Sequence, residues 1–205
     1  MAEAGAAAPS ARQKVLDAAV AVFLERGFEQ CSMEQIAAAA GVVRRTVFNL
    51  FESKEALFRA AVEQAWAAMP IAEIGADEEA FADPVAGLTR MGLAISDFWA
   101  PPAAVAMVRL VIGESRRFPQ LAQDYLSLGK LPALSALTGY LGEWDRRGEL
   151  SVPDPDLAAR QFIGMINEPL LWFRVLGQPG APARKRRTHV VHEAVHTFLA
   201  RYRPG

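Results

Sequence analysis

The sequence of 205 residues has one cysteine, almost no net charge and no long run of apolar residues. Because Cys31 has no second thiol to pair with, an internal disulfide is excluded, and we predict a reducing compartment, the cytoplasm. Apolar runs such as Ala18–Leu24 are far shorter than the roughly 18 residues that a membrane-spanning helix needs, so we predict no membrane partner. Met1–Pro9 contains no lysine or arginine, which argues against a signal peptide, and we predict a disordered tail there.

Positive charge is also scarce. The chain has 22 Lys and Arg residues against 23 Asp and Glu residues, which gives a formal net charge of −1. Up to Gln64, seven basic side chains are balanced by eight acidic ones. A protein that coats nucleic acid regardless of sequence needs a basic excess, so this class is excluded. Any DNA contact must therefore depend on a few basic groups in defined positions.

Helix start and stop signals follow one another in the amino-terminal part. Ser10-x-x-Gln13 and Ser32-x-x-Gln35 have the spacing of capping boxes, and Gly27 and Gly41 are typical of helix ends. No strand-like alternation with turn dipeptides occurs, so we predict an all-α chain. The predicted helices run from Ser10 to Gly27, from Ser32 to Gly41, over Val43–Leu50 and from Ser53 to Pro70.

The remainder reads as a second, larger helical unit. The acidic stretch around Asp77 predicts a loop, and the residues near Gly129 and Pro132 predict an interruption within a helix. The final helix is predicted from about Ala183 to Tyr202. Proline at or near the first helical position opens the others, at Asp83-Pro84, Pro101-Pro102, Pro119 and Asp154-Pro155.

The three short helices with a glycine between the second and third have the layout of a helix-turn-helix. Apolar side chains at packing positions are Ile36, Ala40, Val42, Val47 and Leu50. The outward face of the third helix then consists of Arg44, Arg45, Thr46, Phe48 and Asn49. Arginine can bind guanine and asparagine can bind adenine through two hydrogen bonds each, and threonine can bind a phosphate or a thymine methyl group. Lys54, at the start of the fourth helix, is placed for a DNA phosphate. The alternative is that these are solvated side chains of an ordinary helical bundle.

The segment CSMEQIAAAAGVVRRTVFNLFESKEALF resembles the DNA-binding segment of the TetR/AcrR family of transcriptional regulators. The runs RLVIGESRRFPQLAQDY, RRGEL and DPDLAARQFIGM are similar to the ligand-binding half of its AefR-like branch. The resemblance implies a helix-turn-helix domain over residues 10–53, a connecting helix over 54–70 and a helical ligand-binding and dimerisation domain over 71–205. It also implies that the outward face of the third helix contacts the major groove and that Lys54 contacts the backbone.

Two residues depart from the family pattern. Val43 stands where most members have a serine that caps the recognition helix, so a cap and a phosphate contact are lost. Phe48 stands where most have tyrosine, so the ring remains without its hydroxyl. Arg45 stands where the family often has a small residue, and it offers another backbone contact.

The resemblance further implies a homodimer in which the last two long helices of each subunit pair. An apolar stripe on the final helix fits this role or an intramolecular core, and it consists of Val191, Ala194, Val195, Phe198, Leu199 and Tyr202. A ligand pocket is expected between Asp83 and Phe173, although most of its candidates also suit a plain core. The candidates are Phe98, Trp99, Met107, Tyr125, Trp144, Phe162, Met165, Glu168 and Trp172. For Glu168, solvent and the dimer contact are the alternatives.

The prediction is therefore a ligand-responsive regulator, a repressor that a small molecule releases from a palindromic operator. No phosphate-binding glycine loop, metalloprotease His pair or serine nucleophile elbow is present, so we predict no enzyme and no cofactor. His189, His192 and His196 lie on the polar side of the last helix with only Glu193 nearby, so we predict no metal site. The competing hypothesis is a helical small-molecule-binding protein with a weakened or inactive DNA-binding head, an alternative that Val43 and Phe48 keep open.

Overall fold

The computed structural model describes residues 9–178 and 180–204, whose regular elements are all helices, with no strand among them. The predicted tail, apart from Pro9, lies outside the described residues. The all-α prediction is confirmed. The α-helices are α1 (Ala11–Arg26), α2 (Met33–Ala40), α3 (Arg44–Leu50), α4 (Lys54–Ala67), α5 (Ile71–Ala76), α6 (Pro84–Phe98), α7 (Pro102–Glu114), α8 (Pro119–Tyr125), α9 (Leu131–Arg146), α10 (Pro155–Asn167), α11 (Phe173–Val175) and α12 (Arg184–Tyr202).

The chain forms two compact units. The smaller unit consists of residues 9–64 together with 110–125, and the larger one of 65–109 together with the described residues from 126 onward. Residues 110–125 thus pack with the amino-terminal helices, although the sequence grouped them with the carboxyl-terminal domain. This membership rests on long-range contacts, which a pattern of local signals does not reveal.

The helix ends of the smaller unit follow the capping signals. The Ser10 hydroxyl accepts a hydrogen bond from the Gln13 amide at 3.1 Å. Ser32 and Gln35 form the complete capping box, because each side chain accepts from the other residue's backbone amide. Gly41 ends α2 with φ of +65°, a left-handed conformation that glycine adopts without the steric cost of a Cβ atom.

Three phenylalanine rings form the centre of the smaller unit. Phe23, Phe28 and Phe58 have no exposed surface, and their ring centroids are 5.5–5.8 Å apart. Phe118, from the segment after α7, contacts Phe28 edge to face at 5.1 Å. Burial of each ring stabilises the unit by about 2–3 kcal/mol, so this cluster fixes α1 against α4.

The larger unit packs α6, α9, α10 and α12 around one apolar core. Trp144, Tyr140, Phe162 and Phe198 are its largest fully buried side chains. The apolar stripe of α12 faces this core, since all six of its residues are buried within the chain. The intramolecular alternative therefore holds for this stripe.

The predicted loop and helix interruption of the larger unit have a different form. Residues around the acidic stretch form a 3₁₀ turn, Glu78–Phe81, which the helix α5 precedes. The helix does not break near Pro132, because a π-helical turn, Leu126–Lys130, leads directly into α9. A second π turn, Glu168–Trp172, contains Pro169. A wide turn accommodates a proline ring that would clash with the carbonyl of a regular helix, so neither Pro132 nor Pro169 ends a helix.

By length and apolarity, no described helix on its own reaches what a membrane span requires; only α6 and α7 taken together, with a bend between them, do so.

Candidate nucleic-acid interface

The surface of α3 is the candidate interface. Val43 precedes the helix and offers no side-chain acceptor, so only its backbone carbonyl, which accepts from the Thr46 amide at 2.9 Å, supports the first turn. Val47 is the one residue of α3 that is buried in the chain. The other positions of this seven-residue helix are therefore partly or fully open to solvent.

The side chains predicted to contact DNA lie together on this surface. Arg44, Arg45, Phe48 and Asn49 are exposed, whereas Thr46 is half-buried. Leu50, predicted as a packing residue, is 37% exposed, so it packs with only part of its surface.

One of the two exposed arginines of α3, Arg44, already forms an ion pair with a carboxylate of the protein. Arg44 Nη2 lies 2.8 Å from Glu34 Oε1, and the Arg44 guanidinium lies 5.1 Å from the centroid of the Phe48 ring. The Glu34 backbone amide, near the start of α2, lowers the pKa of that carboxyl, and the Ser32 hydroxyl and the Arg44 charge lower it further. Both members of the pair are about half exposed or more, so the pair adds little to stability. The pair links the guanidinium of Arg44 on α3 to the carboxylate of Glu34 on α2.

Lys54 has a role that the sequence did not reveal. Its Nζ atom donates to the carbonyl oxygens of Phe28 at 2.6 Å, Cys31 at 2.9 Å and Glu29 at 3.2 Å. The same ammonium lies 4.5 Å from the centroid of the Phe28 ring. An ammonium has three hydrogens, and all three are used here. The predicted phosphate contact of Lys54 stays a prediction, and it competes with these bonds.

Glu114 holds the same connection between α1 and α2 from the other side. Its Oε1 atom accepts from the backbone amide of Phe28 at 3.0 Å and from that of Glu29 at 3.5 Å. Arg117 forms an ion pair with the Glu29 side chain. Phe28 is 86 residues from Glu114 in the sequence, so no local signal could have identified this contact. Together Lys54 and Glu114 fix the backbone that leads into the helix-turn-helix.

Comparison with known proteins agrees with this geometry. The family model described as "Bacterial regulatory proteins, tetR family" matches residues 15–61, and the model "AefR-like transcriptional repressor, C-terminal domain" matches residues 86–204. The chain belongs to the TetR family. It is a DNA-binding transcriptional regulator of that family, and this family membership points away from an enzyme.

Three TetR-family proteins illustrate the similarity. The HTH-type transcriptional regulator RutR of Escherichia coli O157:H7 is 32% identical over 155 residues, which are 72% of this chain and 68% of RutR. A TetR-family structure from Mesorhizobium loti MAFF303099 superimposes with a TM-score of 0.83 at 24% identity, covering 95% of this chain and 97% of that one. The "Flavonoid-responsive Regulator FrrA" has a TM-score of 0.72 at 29% identity, with the same coverage.

The predicted ligand residues of this TetR-family regulator are dispersed. Trp144 and Phe162 are fully buried in the core of the larger unit, and Tyr125 belongs to the smaller unit. Trp99 and Met107 are also buried. The remaining candidates form two small groups, one of aromatic rings and one at the surface. The described part of the chain contains no cluster of side chains suited to a metal ion.

The first group is aromatic. The ring of Phe98 lies 4.7 Å from that of Trp99 and 4.6 Å from that of Trp66, measured between centroids. The second group is at the surface, where Met165 and Glu168 line a groove of about 360 Å³ between α10 and α12. Trp172 is 50% exposed. That any of these residues contacts a ligand stays a prediction.

Proposed function

We propose that this TetR-family regulator is a cytoplasmic repressor that binds a palindromic operator as a homodimer until a small molecule releases it. The observation that carries the proposal is the open surface of α3, where Arg44, Arg45, Phe48 and Asn49 are all exposed on one helix. Arginine and asparagine there offer hydrogen bonds to base edges in the major groove. The match to an AefR-like repressor domain over residues 86–204 supports repression.

A homodimer supplies the second α3 that a two-fold operator requires, one DNA turn away. The buried stripe of α12 is not available for this contact. Apolar side chains that remain exposed directly after α10 are Trp172, Phe173 and Leu176, with 50%, 59% and 82% of their surfaces accessible. Exposed aromatic residues in such a group are typical of a protein contact, and they support a dimer contact next to the end of α10.

Release by a small molecule follows from linkage. A ligand that binds only the conformation with displaced recognition helices lowers operator affinity by its own preference for that conformation, on the order of 1–3 kcal/mol. The response of FrrA to flavonoids, at 29% identity, supports a small-molecule effector for this chain too.

A gel shift with DNA from upstream of the protein's own gene tests the proposal. We expect a discrete complex that competitor DNA of unrelated sequence does not remove.

The competing function is a small-molecule-binding protein with an inactive head. Two observations favour it: Val43 supplies no side-chain cap to α3, and Phe48 has no hydroxyl. Thermal stabilisation by small molecules together with no shift of upstream or genomic DNA would favour that function.

The exposed apolar side chains of α3 predict sensitivity to thymine methyl groups. Val43 and Phe48 are 72% and 42% exposed, and each can cover the C5-methyl group of a thymine in the major groove. Replacing a contacted thymine by uracil removes only that methyl group, worth about 0.8 kcal/mol, so affinity should fall about fourfold. Fluorescence anisotropy with singly substituted operators measures this.

The matched control is uracil at a thymine outside the half-sites, which should leave affinity unchanged. The Phe48→Ala variant should become insensitive to uracil at one thymine of the half-site and stay sensitive at the others. If uracil is neutral at every thymine of the half-site, Val43 and Phe48 do not read methyl groups, even though DNA binding itself remains.

A further inference from the structure

Three arginine side chains converge where α6 ends. Arg174, which is 8% exposed, donates through Nη1 to the carbonyl of Trp99 and through Nη2 to that of Ala100 at 3.2 Å. Arg109 donates through Nε to the carbonyl of Val175 at 2.9 Å and through Nη2 to that of Arg174 itself. The two guanidinium groups are therefore linked through the backbone of α11.

The third arginine has the one carboxylate of this cluster. Arg187 Nη2 donates to Asp97 Oδ1 at 2.8 Å, and its Nη1 donates to a backbone carbonyl. Within residues 9–178 and 180–204, neither Arg109 nor Arg174 forms an ion pair. Burial lowers the pKa of Arg174, and the charges of Arg109 and Arg187 lower it further, so the three groups repel one another.

Helix ends compensate only part of this charge. The carbonyls that Arg109 and Arg174 bind are at the carboxyl ends of α11 and α6, and each helix end supplies about half a negative charge at most. About one positive charge is left without compensation next to a side chain that is more than nine-tenths buried. A buried charge such as that of Arg174 is costly unless an anion neutralises it.

Two further donors in the cluster have no acceptor. Arg187 Nε and Trp99 Nε1 are buried, and neither atom has a hydrogen-bond partner. Trp99 is 6% exposed, and its own carbonyl is the one that Arg174 binds. Buried hydrogen-bond donors without partners are rare in folded proteins. Both of these N–H groups lack an acceptor.

Aromatic side chains adjoin the cluster through Trp99. The ring of Trp99 contacts that of Phe98 edge to face at 4.7 Å, and Trp66 contacts both rings, at 4.6 Å from Phe98 and 6.2 Å from Trp99. Gly129 lies beneath Trp66, because a Cβ atom there would be 2.2 Å from its indole nitrogen. The cluster therefore combines hydrogen-bond donors with flat apolar surfaces.

We propose that Arg109, Arg174 and the indole N–H of Trp99 form a binding site for the carboxylate of a small aromatic acid. A carboxylate accepts two parallel hydrogen bonds from a guanidinium, and it supplies the negative charge that the cluster lacks. The aromatic body of the acid packs on the rings of Phe98 and Trp99. This inference rests on the proposed effector response, because it names the chemical class of that effector.

The test compares acids with their neutral amides on the purified full-length chain without DNA. The probes are benzoate and indole-3-acetate, with benzamide and indole-3-acetamide as matched controls and sodium chloride at the same ionic strength. We expect both acids, at millimolar concentration, to raise Tm and to change tryptophan fluorescence, and the amides to do neither. Arg109→Met should weaken binding of the acids at least tenfold, while Arg116→Met, a change of an exposed arginine elsewhere, should not.

Arg109 is the residue to change because its side chain is exposed and the variant should fold, whereas Arg174→Met leaves two carbonyls without a donor. The proposed site would be overturned if acids and amides had equal effects or if neither acid had an effect. It would also be overturned if Arg109→Met bound the acids as well as the unchanged protein does. Operator DNA is absent from every measurement. Acid binding without any operator complex would therefore contradict the proposed function alone, and an operator complex without acid binding would contradict this site alone.

Discussion

The Arg44→Ala, Arg45→Ala double variant is expected to bind operator DNA about a thousandfold more weakly than the unchanged protein. Each arginine can make a bidentate contact worth about 2 kcal/mol, and the loss of both amounts to about 4 kcal/mol. Folding should be unaffected, since both side chains are exposed and the one ion pair that is lost, with Glu34, is at the surface. Anisotropy titrations at several salt concentrations measure affinity and the number of phosphate contacts together.

The matched control is Lys14→Ala, Arg26→Ala, which removes two positive charges from the same unit but not from α3. A general electrostatic attraction would make both double variants equally weak. Specific contacts by α3 predict a large loss for the first variant and a small one for the control. Unchanged affinity and salt dependence in the first variant would contradict the assignment of α3 as the interface.

Lys54→Met is expected to lower the free energy of unfolding by about 3 kcal/mol. The substitution keeps much of the side-chain length but leaves the carbonyls of Phe28, Glu29 and Cys31 without their charged donor. In a chain of this size, such a loss lowers Tm by roughly 6–12 °C. Calorimetry measures it, and Lys14→Met, at an exposed lysine of the same unit, should change Tm very little.

The same variant tests whether Lys54 also contacts DNA. At a temperature where Lys54→Met is folded, loss of a phosphate contact would reduce the slope of log affinity against log salt by about 1. We expect the slope to stay unchanged, because the ammonium is fully used within the protein. A reduced slope with an unchanged Tm would contradict the structural role of Lys54 and support the backbone contact that the sequence suggested.

Local signals in the sequence were sufficient for most of the helix-turn-helix. Capping boxes and glycines act over a few residues, and the hydrogen bonds of Ser10, Ser32 and Gln35 are where the spacing predicted them. The outward face of α3 was likewise predicted, and Arg44, Arg45, Phe48 and Asn49 are exposed there, while their contact with DNA stays a prediction. The sequence could not reveal that Glu34 pairs with Arg44, because either side chain has many rotamers in solvent.

Contacts between distant residues were beyond the reach of sequence patterns. The bond from Lys54 to Phe28 spans 26 residues and that from Phe28 to Glu114 spans 86. The stripe of α12 was visible from its spacing, but spacing does not say whether an apolar face packs within the chain or on a partner. The residues near Gly129 and Pro132 predicted a break, whereas a π turn continues the helix through them.

The ion pair between Glu34 and Arg44 has a consequence for how the regulator searches a genome. Competing sites outnumber an operator by many orders of magnitude, so occupancy depends on the ratio of specific to non-specific affinity. An arginine that is already neutralised adds little to the attraction for arbitrary phosphates, and the Glu34 carboxylate beside it repels them. We expect a base edge that offers Arg44 two acceptors to compete with the Glu34 carboxylate better than a phosphate does. The acidic neighbour of α3 is therefore expected to raise the ratio of specific to non-specific affinity.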